Sequence, residues 1–312
     1  MSLPATESVP IGKPSFQHAL EAARAAAGGQ HYPSGALYVV ATPIGNLADI
    51  TLRSLHVLLM VDAIACEDTR HTQHLLRAVG IQRPGSELIA LHEHNEAEAA
   101  QTVISRLQEG QRVAYVSDAG TPAVSDPGAR LVAAVHAAGL RAVPLPGASS
   151  VTCALSAAGV TGDPGFVFTG FLPSKQGERM SAVAELAREP RAVVLLEAPH
   201  RIAALADALA TLEERLITVG RELTKQFEQI ATMACAALPA WLAADPQRLR
   251  GEFALVLHPH EAGAAPSDDD RVLRLLMAEL PLKTAVKLTA EITGQPRNAL
   301  YERALQQRGS ER

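Results

Sequence analysis

The chain has 312 residues, 47% hydrophobic and 20% charged, with a net charge of −5. That length accommodates two domains with apolar cores of their own, and the composition excludes a disordered chain. The acidic balance speaks against nonspecific coating of nucleic acid, and the scattered Cys66, Cys153 and Cys235 form neither a disulfide framework nor a zinc or redox motif, so a cytoplasmic protein is expected.

Residues 1–35 mix Pro, Gly, Glu and Lys with an Ala-rich run and lack the order of a secretory signal. They are predicted to be a poorly ordered tail. The apolar run 57–61 ends at Asp62, far short of a membrane span. Apolar, β-rich runs then recur at 37–41, 63–66, 88–91, 113–116 and 141–144, separated by helix-like segments or loops. This alternation, with continuous strands such as LYVVA and VAYV, predicts an N-terminal α/β domain over 36–147 around a mostly parallel sheet.

After Gly, Asp and Pro punctuation at 161–165, strands are predicted at 166–169, 192–197, 216–220, 229–234 and 252–257, giving a second α/β domain over 148–260. The run EAGAAPSDDD at 261–270 reads as a linker ending in an acidic helix start. A helical unit over 268–312 follows, broken at Leu280-Pro281 and at Gly294-Gln295-Pro296. From Arg271 onward it carries eight Lys and Arg against four Asp and Glu, which fits a phosphate-bearing partner or a solvated helix face. No fixed-period repeat is visible.

In open α/β sheets ligands bind beyond the carboxyl ends of the strands, so the loops that follow strands carry the chemistry. Thr42-Pro43-Ile44-Gly45-Asn46 is a tight turn whose small residues also let a ligand approach the backbone. Glu67-Asp68-Thr69-Arg70 crowds ionisable groups at a strand end, although Asp68 or Thr69 also fits a helix cap. VAYV runs into Ser117-Asp118-Ala119-Gly120-Thr121-Pro122, where Asp118 can accept from a ribose diol or an amine. In Ser125-Asp126-Pro127-Gly128 the Asp-Pro pair fits a helix cap followed by Pro, so this half is expected to support the loop. Ser149 and Ser150, after PLPGA, can cap a small-residue helix or bind a ligand.

GxGxxG, GxxxxGK[ST] and GxSxG are all absent. His92-Glu93-His94 puts two imidazoles on one side of a predicted strand, but no further ligands follow at fitting spacing, and no metal is expected.

Taken in order and spacing, LYVVATPIGNLADITLRSL, EDTRHT, VSDAGTPAVSDPG, PLPGASS, GFLPSK, EAPHR, RELTKQFE and GEFALVL resemble the ribosomal RNA small subunit methyltransferase I family, a branch of the tetrapyrrole methylase fold. The resemblance spans about 37–258, and family members share the helical tail but usually begin near the first strand. It implies two α/β domains with a cofactor cleft between them, plus the helical unit. It further implies a homodimer that transfers methyl from S-adenosylmethionine to the ribose 2′-hydroxyl of a cytidine in the decoding region of 16S rRNA, with that RNA met within the small ribosomal subunit. Cofactor contacts are implied at Pro43, Ile44, Asp118, Ala119, Gly120, Thr121, Ser149 and Ser150, with Phe171 and Leu172 nearby. Because the sulfonium carries its own leaving group, alignment matters more than strong acid catalysis. Glu67, Asp68, Glu197, Lys225 and Glu228 are the candidates to take the proton or stabilise charge, and Arg70, Lys175, Arg179, Arg201 and Arg221 are expected to hold phosphates. Arg221, Glu222, Lys225 and Glu228 also fit a solvated ion-pair patch. Two rivals are a methyltransferase of the same fold acting on a corrin or porphyrin ring, and a ligand-sensing regulator binding DNA through a helix-turn-helix at 284–305.

Overall fold

The structure, a computed structural model, describes residues 16–92, 94–161, 165–259 and 268–310. The first sheet has strand order β3-β2-β4-β1-β5, built from β1 (Ala36–Val40), β2 (Ala63–Cys66), β3 (Leu88–Ala90), β4 (Val113–Val116) and β5 (Arg141–Leu145). All its pairings are parallel. β2 and β4 are buried at every position, as strands covered on both faces must be. Helices α1 (Gln17–Ala27), α2 (Leu52–Met60) and α3 (Thr69–Ala78) pack Ala23, Leu55, Leu58 and Leu76 on Tyr38 and Ile64. On the other face, α4 (Glu96–Gln108) and α5 (Gly128–Ala137) pack Val103, Leu107, Leu131 and Val135 on Leu37, Ala65 and Tyr115.

The N-terminal expectation is corrected from Phe16 onward. α1 is a formed helix whose Leu20, Ala23 and Ala27 lie one above another, with Ala23 fully buried against the first core. Its small apolar stripe is a weak sequence signal, and the α2 surface that stabilises it exists only in the folded chain. Residues 1–15 lie outside the described residues. Ala23→Glu, which buries a charge under α2, is expected to cost about 3 kcal/mol. An unchanged thermal melting curve would show that α1 is not docked.

The second sheet has order β6-β7-β10-β8-β9, from β6 (Phe166–Gly170), β7 (Ala192–Glu197), β8 (Leu216–Arg221), β9 (Gln229–Ala234) and β10 (Phe253–Leu257). Only β6 and β7 run parallel, while β10 is antiparallel to both β7 and β8, and β8 to β9. Helices α7 (Gln176–Leu186), α8 (Ile202–Leu209) and α9 (Leu238–Ala243) cover one face. On the other, α6 (Ser150–Ala158) packs Val151 and Ala154 against Val194 and Val256, and Ile44 reaches over from the first half to join them.

The C-terminal unit is α10 (Asp268–Glu279), α11 (Leu282–Thr293) and α12 (Arg297–Ser310), packed around Leu273, Val286, Leu300 and Ala304. Its breaks fall at Pro281, which starts α11, and at Gly294, whose φ of +73° ends it. Most of the expected linker, and Gly162, Asp163 and Pro164, lie outside the described residues. Among the described residues, no helix is long and apolar enough to cross a membrane.

Candidate active site

Three loops beyond the first sheet are knitted together. The Thr42 N–H donates to Gly120 O at 2.9 Å and the Gly120 N–H returns to Thr42 O at 3.1 Å, joining the loops after β1 and β4. Gly120 holds φ of +79°, a conformation that a side chain would strain. The loop after β5 closes in as well. Thr121 Oγ1 donates to Ala148 O at 3.0 Å, and a Cβ on Gly147 would stand 2.7 Å from Ala41 Cβ. Ser149 is the N-cap of α6 yet its side chain makes no cap bond.

Asp118 Oδ1 accepts the Asp68 N–H at 3.3 Å, which ties the loop after β2 to this group. Asp126 braces it from behind. Its Oδ1 accepts from Tyr115 OH and the Gly128 N–H, both at 2.8 Å, and its Oδ2 accepts the Ala123 N–H at 2.7 Å. Asp126 thus supports the loop as expected, with Pro127 rather than Asp126 at the cap position of α5.

The second half meets this group through residues 222–228 between β8 and β9. The Asn46 N–H donates to Thr224 Oγ1 at 3.1 Å, and a Cβ on Gly45 would fall 2.4 Å from Lys225 Cγ, so the turn after β1 approaches as only glycine can. Lys225 Nζ lies 2.8 Å from Glu222 Oε1 and 3.1 Å from Glu252 Oε2. Between the halves is a cavity of about 320 Å³. It is lined from the first half by Ile44, Ala119 and Ser125, from the head of α6 by Ser150, and from the second half by Phe171, 196–199, Leu223, Lys225 and 252–254.

The charges are unevenly balanced. Burial first, then Asp126 and Asp118, pushes the Glu67 carboxyl up to about 7, and its Oε1 is buried without a hydrogen-bond partner. Asp68 is held down at about 2 by its hydrogen bond from the Arg70 side chain and those from the Arg70 and His71 backbone. Burial opposes the charge on Lys225, but Glu222 and Glu252 outweigh it and raise the ammonium above its usual range.

The folded chain therefore brings Ile44, Ala119, Ser150, Phe171, Glu197 and Lys225 to one cavity, with Pro43, Asp118, Gly120, Thr121 and Ser149 in the loops that frame it. Other candidates stand elsewhere. Asp68 caps α3 and pairs with the exposed Arg70. Glu228 is exposed and accepts the Thr224 N–H at 2.6 Å. Leu172 points into the second core, and Lys175 pairs with Glu178 at the surface.

Three arginines expected on phosphates are turned inward. Arg221 is buried and donates to Arg250 O at 2.7 Å and Phe227 O at 3.2 Å. Arg179 is buried and donates to Ser174 O at 2.9 Å, and Arg201 donates to Leu172 O and pairs with Glu197. Each guanidinium saturates loop carbonyls, because a buried carbonyl needs a donor where no ladder supplies one. His92 and His94 stand in a turn after β3 rather than on a strand, their rings edge to face at 6.0 Å. Sequence reasoning passed over Ser125, assigned to the cap, and Leu196, Ala198, Pro199 and 252–254, although EAPHR and GEFALVL had been singled out as motifs.

Comparison with known proteins converges on one group. The family of Tetrapyrrole (Corrin/Porphyrin) Methylases matches residues 36–239, and the RsmI C-terminal HTH domain matches residues 263–308. Ribosomal RNA small subunit methyltransferase I of Escherichia coli O157:H7 is 49% identical over 279 residues, covering 88% of this chain and 96% of that protein. The protein of the same name from Pseudomonas aeruginosa is 47% identical over 285 residues, covering 88% and 99%. Among solved structures, cobalt precorrin-4 methyltransferase superposes with a TM-score of 0.53 at 20% identity over 73% of this chain and 98% of that one. Diphthine synthase gives 0.54 at 14% identity, covering 73% and 92%. Both structures attest the fold alone.

Proposed function

This chain belongs to the tetrapyrrole methylase family and, within it, to the ribosomal RNA small subunit methyltransferase I proteins, and on that footing we propose that it methylates the ribose 2′-hydroxyl of a cytidine in the decoding region of 16S rRNA. S-adenosylmethionine is the methyl donor in this reading, and the enzyme acts in the cytoplasm as a homodimer. The observation that carries it is the cleft itself: loops from the carboxyl ends of one parallel sheet close against a charged loop of the second half, around a cavity of small-ligand size.

The residues present fit the cofactor. Asp118, the backbone of Ala119 and Gly120, Thr121 and the uncommitted Ser149 hydroxyl offer acceptors and donors to its ribose, amino and carboxylate groups, while Pro43, Ile44 and Phe171 offer apolar surface. When bound, the cofactor supplies an electrophilic methyl on a sulfonium. The protein has to hold the ribose hydroxyl in line with the methyl–sulfur bond. Transfer would leave the displaced electron pair with the departing sulfur, and the hydroxyl proton would pass to water, so the chain's own task is to align the hydroxyl and balance its charge. Lys225, kept cationic by its two carboxylate neighbours, is assigned to stabilise the negative charge developing on that oxygen. Glu67, near neutrality behind the Asp118 loop, is the remaining ionisable candidate whose titration falls in the working range.

Arg70, Lys175 and the cationic residues of the C-terminal helices are assigned to RNA phosphates. From Arg271 onward the C-terminal helices carry eight Lys and Arg against four Asp and Glu, behind the acidic start of α10 at Asp268, Asp269 and Asp270, and this basic stretch favours a polynucleotide over a propionate-bearing macrocycle, while the cleft favours an enzyme over a DNA-binding sensor. The test offers labelled S-adenosylmethionine with free 16S rRNA, assembled small subunits, a porphyrin precursor or duplex DNA, and maps the labelled atom. Label on a cytidine ribose supports the reading, and label in neither RNA sample sinks it. In the same preparation, Asp118→Ala is expected to weaken S-adenosylhomocysteine binding about tenfold or more, as loss of a charged hydrogen-bonding group would. Unchanged affinity removes Asp118 from the cofactor site.

A further inference from the structure

We propose that Arg201 and Arg179 are positioning residues that clamp the turn at 171–175, with Glu197 as the buried counter-charge of Arg201, so that Phe171 forms a fixed wall of the cleft. The inference deepens the reading above and rests on it for its cofactor measurements.

The turn has little to hold it in place by itself. β6 ends at Gly170 with φ of +66°, after an irregularity in its pairing with β7, and the chain must then cross to the start of α7. In that crossing Leu172 is buried in the second core, whereas Phe171, its neighbour, is 53% exposed and faces the cavity. Two carbonyls of the turn, Leu172 O and Ser174 O, receive their hydrogen bonds from arginine side chains. One donor is Arg179, 7% exposed, from the first turns of α7. The other is Arg201, which stands 29 residues along the chain from its acceptor.

Arg201 is itself held. Its Nε lies 3.0 Å from Glu197 Oε1, and the same oxygen accepts the Ala198 N–H at 2.9 Å. The Glu197 side chain is wholly buried, and its Oε2 has no hydrogen-bond partner. Burying a carboxylate against a partly buried guanidinium costs desolvation that their attraction barely returns, so such a pair is better explained by the geometry it imposes than by stability. The geometry is specific here: residues 197–199 line the cavity floor, and Arg201 carries that floor to the backbone of the wall. With its Nη2 given to Leu172 O and its charge set against Glu197, Arg201 acts on the site through Phe171 rather than by meeting a phosphate.

The test uses the full chain with Arg201→Gln, Arg201→Lys, Phe171→Ala and the double variant Phe171→Ala/Arg201→Gln. Readouts are amide hydrogen exchange and calorimetric titration with S-adenosylhomocysteine. In Arg201→Gln, exchange at 171–175 is expected to rise about tenfold or more while β7 and β10 keep their protection, since local opening is governed by local contacts. Cofactor affinity is expected to fall in Arg201→Gln, to recover in part in Arg201→Lys, and to be no weaker in the double variant than in Phe171→Ala alone, because the two residues act through one wall. Unchanged exchange at 171–175 overturns the clamp and returns Arg201 to direct contact with substrate, and full additivity of the two losses overturns it equally. If the wild-type chain binds no S-adenosylhomocysteine, the cofactor reading fails and the exchange measurement alone decides the clamp.

Discussion

Glu67→Gln is expected to leave stability nearly unchanged at pH 4 and to raise it by about 2 kcal/mol at pH 8. The folded carboxyl is pushed up to about 7 from an ordinary 4.5 by burial and by Asp126 and Asp118. Its folded value therefore lies above its unfolded one, and the folded chain holds the proton more tightly. Stability is lost as pH rises from about 4.5 to about 7 and stays level above that window. Gln carries no charge to desolvate, and its amide can donate towards the two aspartates, so the loss of stability that Glu67 contributes between pH 4.5 and about 7 should vanish. Denaturant unfolding at pH 4, 6 and 8 reads the effect directly. A variant that keeps the wild-type slope would assign it to another group. A chain that keeps an unfavourable carboxylate behind the loop that carries Asp118 is giving up stability there, a pattern that functional positions share.

Asp126→Ala should destabilise the chain by about 3 kcal/mol, lowering the melting temperature by several degrees. Three donors lose their acceptor at once: Tyr115 OH and the N–H groups of Ala123 and Gly128. Tyr115 is fully buried, so its hydroxyl is left without water as a substitute. Ala123 sits at φ of +65°, a strained conformation for alanine that the Asp126 bond helps to hold. Nor can the next residues compensate, because a Cβ on Gly128 would fall 2.0 Å from Tyr115 Cε1. Loss of this brace should loosen the 117–122 loop and weaken S-adenosylhomocysteine binding alongside stability. Asp126→Asn keeps one oxygen for Tyr115 and should cost less than half as much. A wild-type melting temperature in Asp126→Ala would mean that the loop is held by its bridge to Thr42 instead.

How far the fold could be read from residues depended on whether the cause was local. β2 at 63–66, β4 at 113–116, β7 at 192–197 and β9 at 229–234 coincide with their sequence expectations, because each is a short apolar or β-branched run between turn residues. The C-terminal breaks were equally legible, since proline cannot continue a helix and glycine alone takes the left-handed cap without strain. The loops of the first half were legible because the strand ends of a parallel sheet share one edge, so Ile44, Ala119 and Ser150 could be nominated without knowing what faced them.

What faced them was settled by long-range packing. An apolar run such as FALVL has the same composition whether its neighbours run with it or against it, so the antiparallel insertion of β10 between β7 and β8 had no local signature. The alanines of α1 became a helix face only once α2 offered a surface to bury them. Arg179, Arg201 and Arg221 look in one dimension like three cations near a cleft. They turn inward because the folded backbone leaves carbonyls at Ser174, Leu172 and Arg250 that need donors, and a guanidinium goes where its hydrogen bonds can be made.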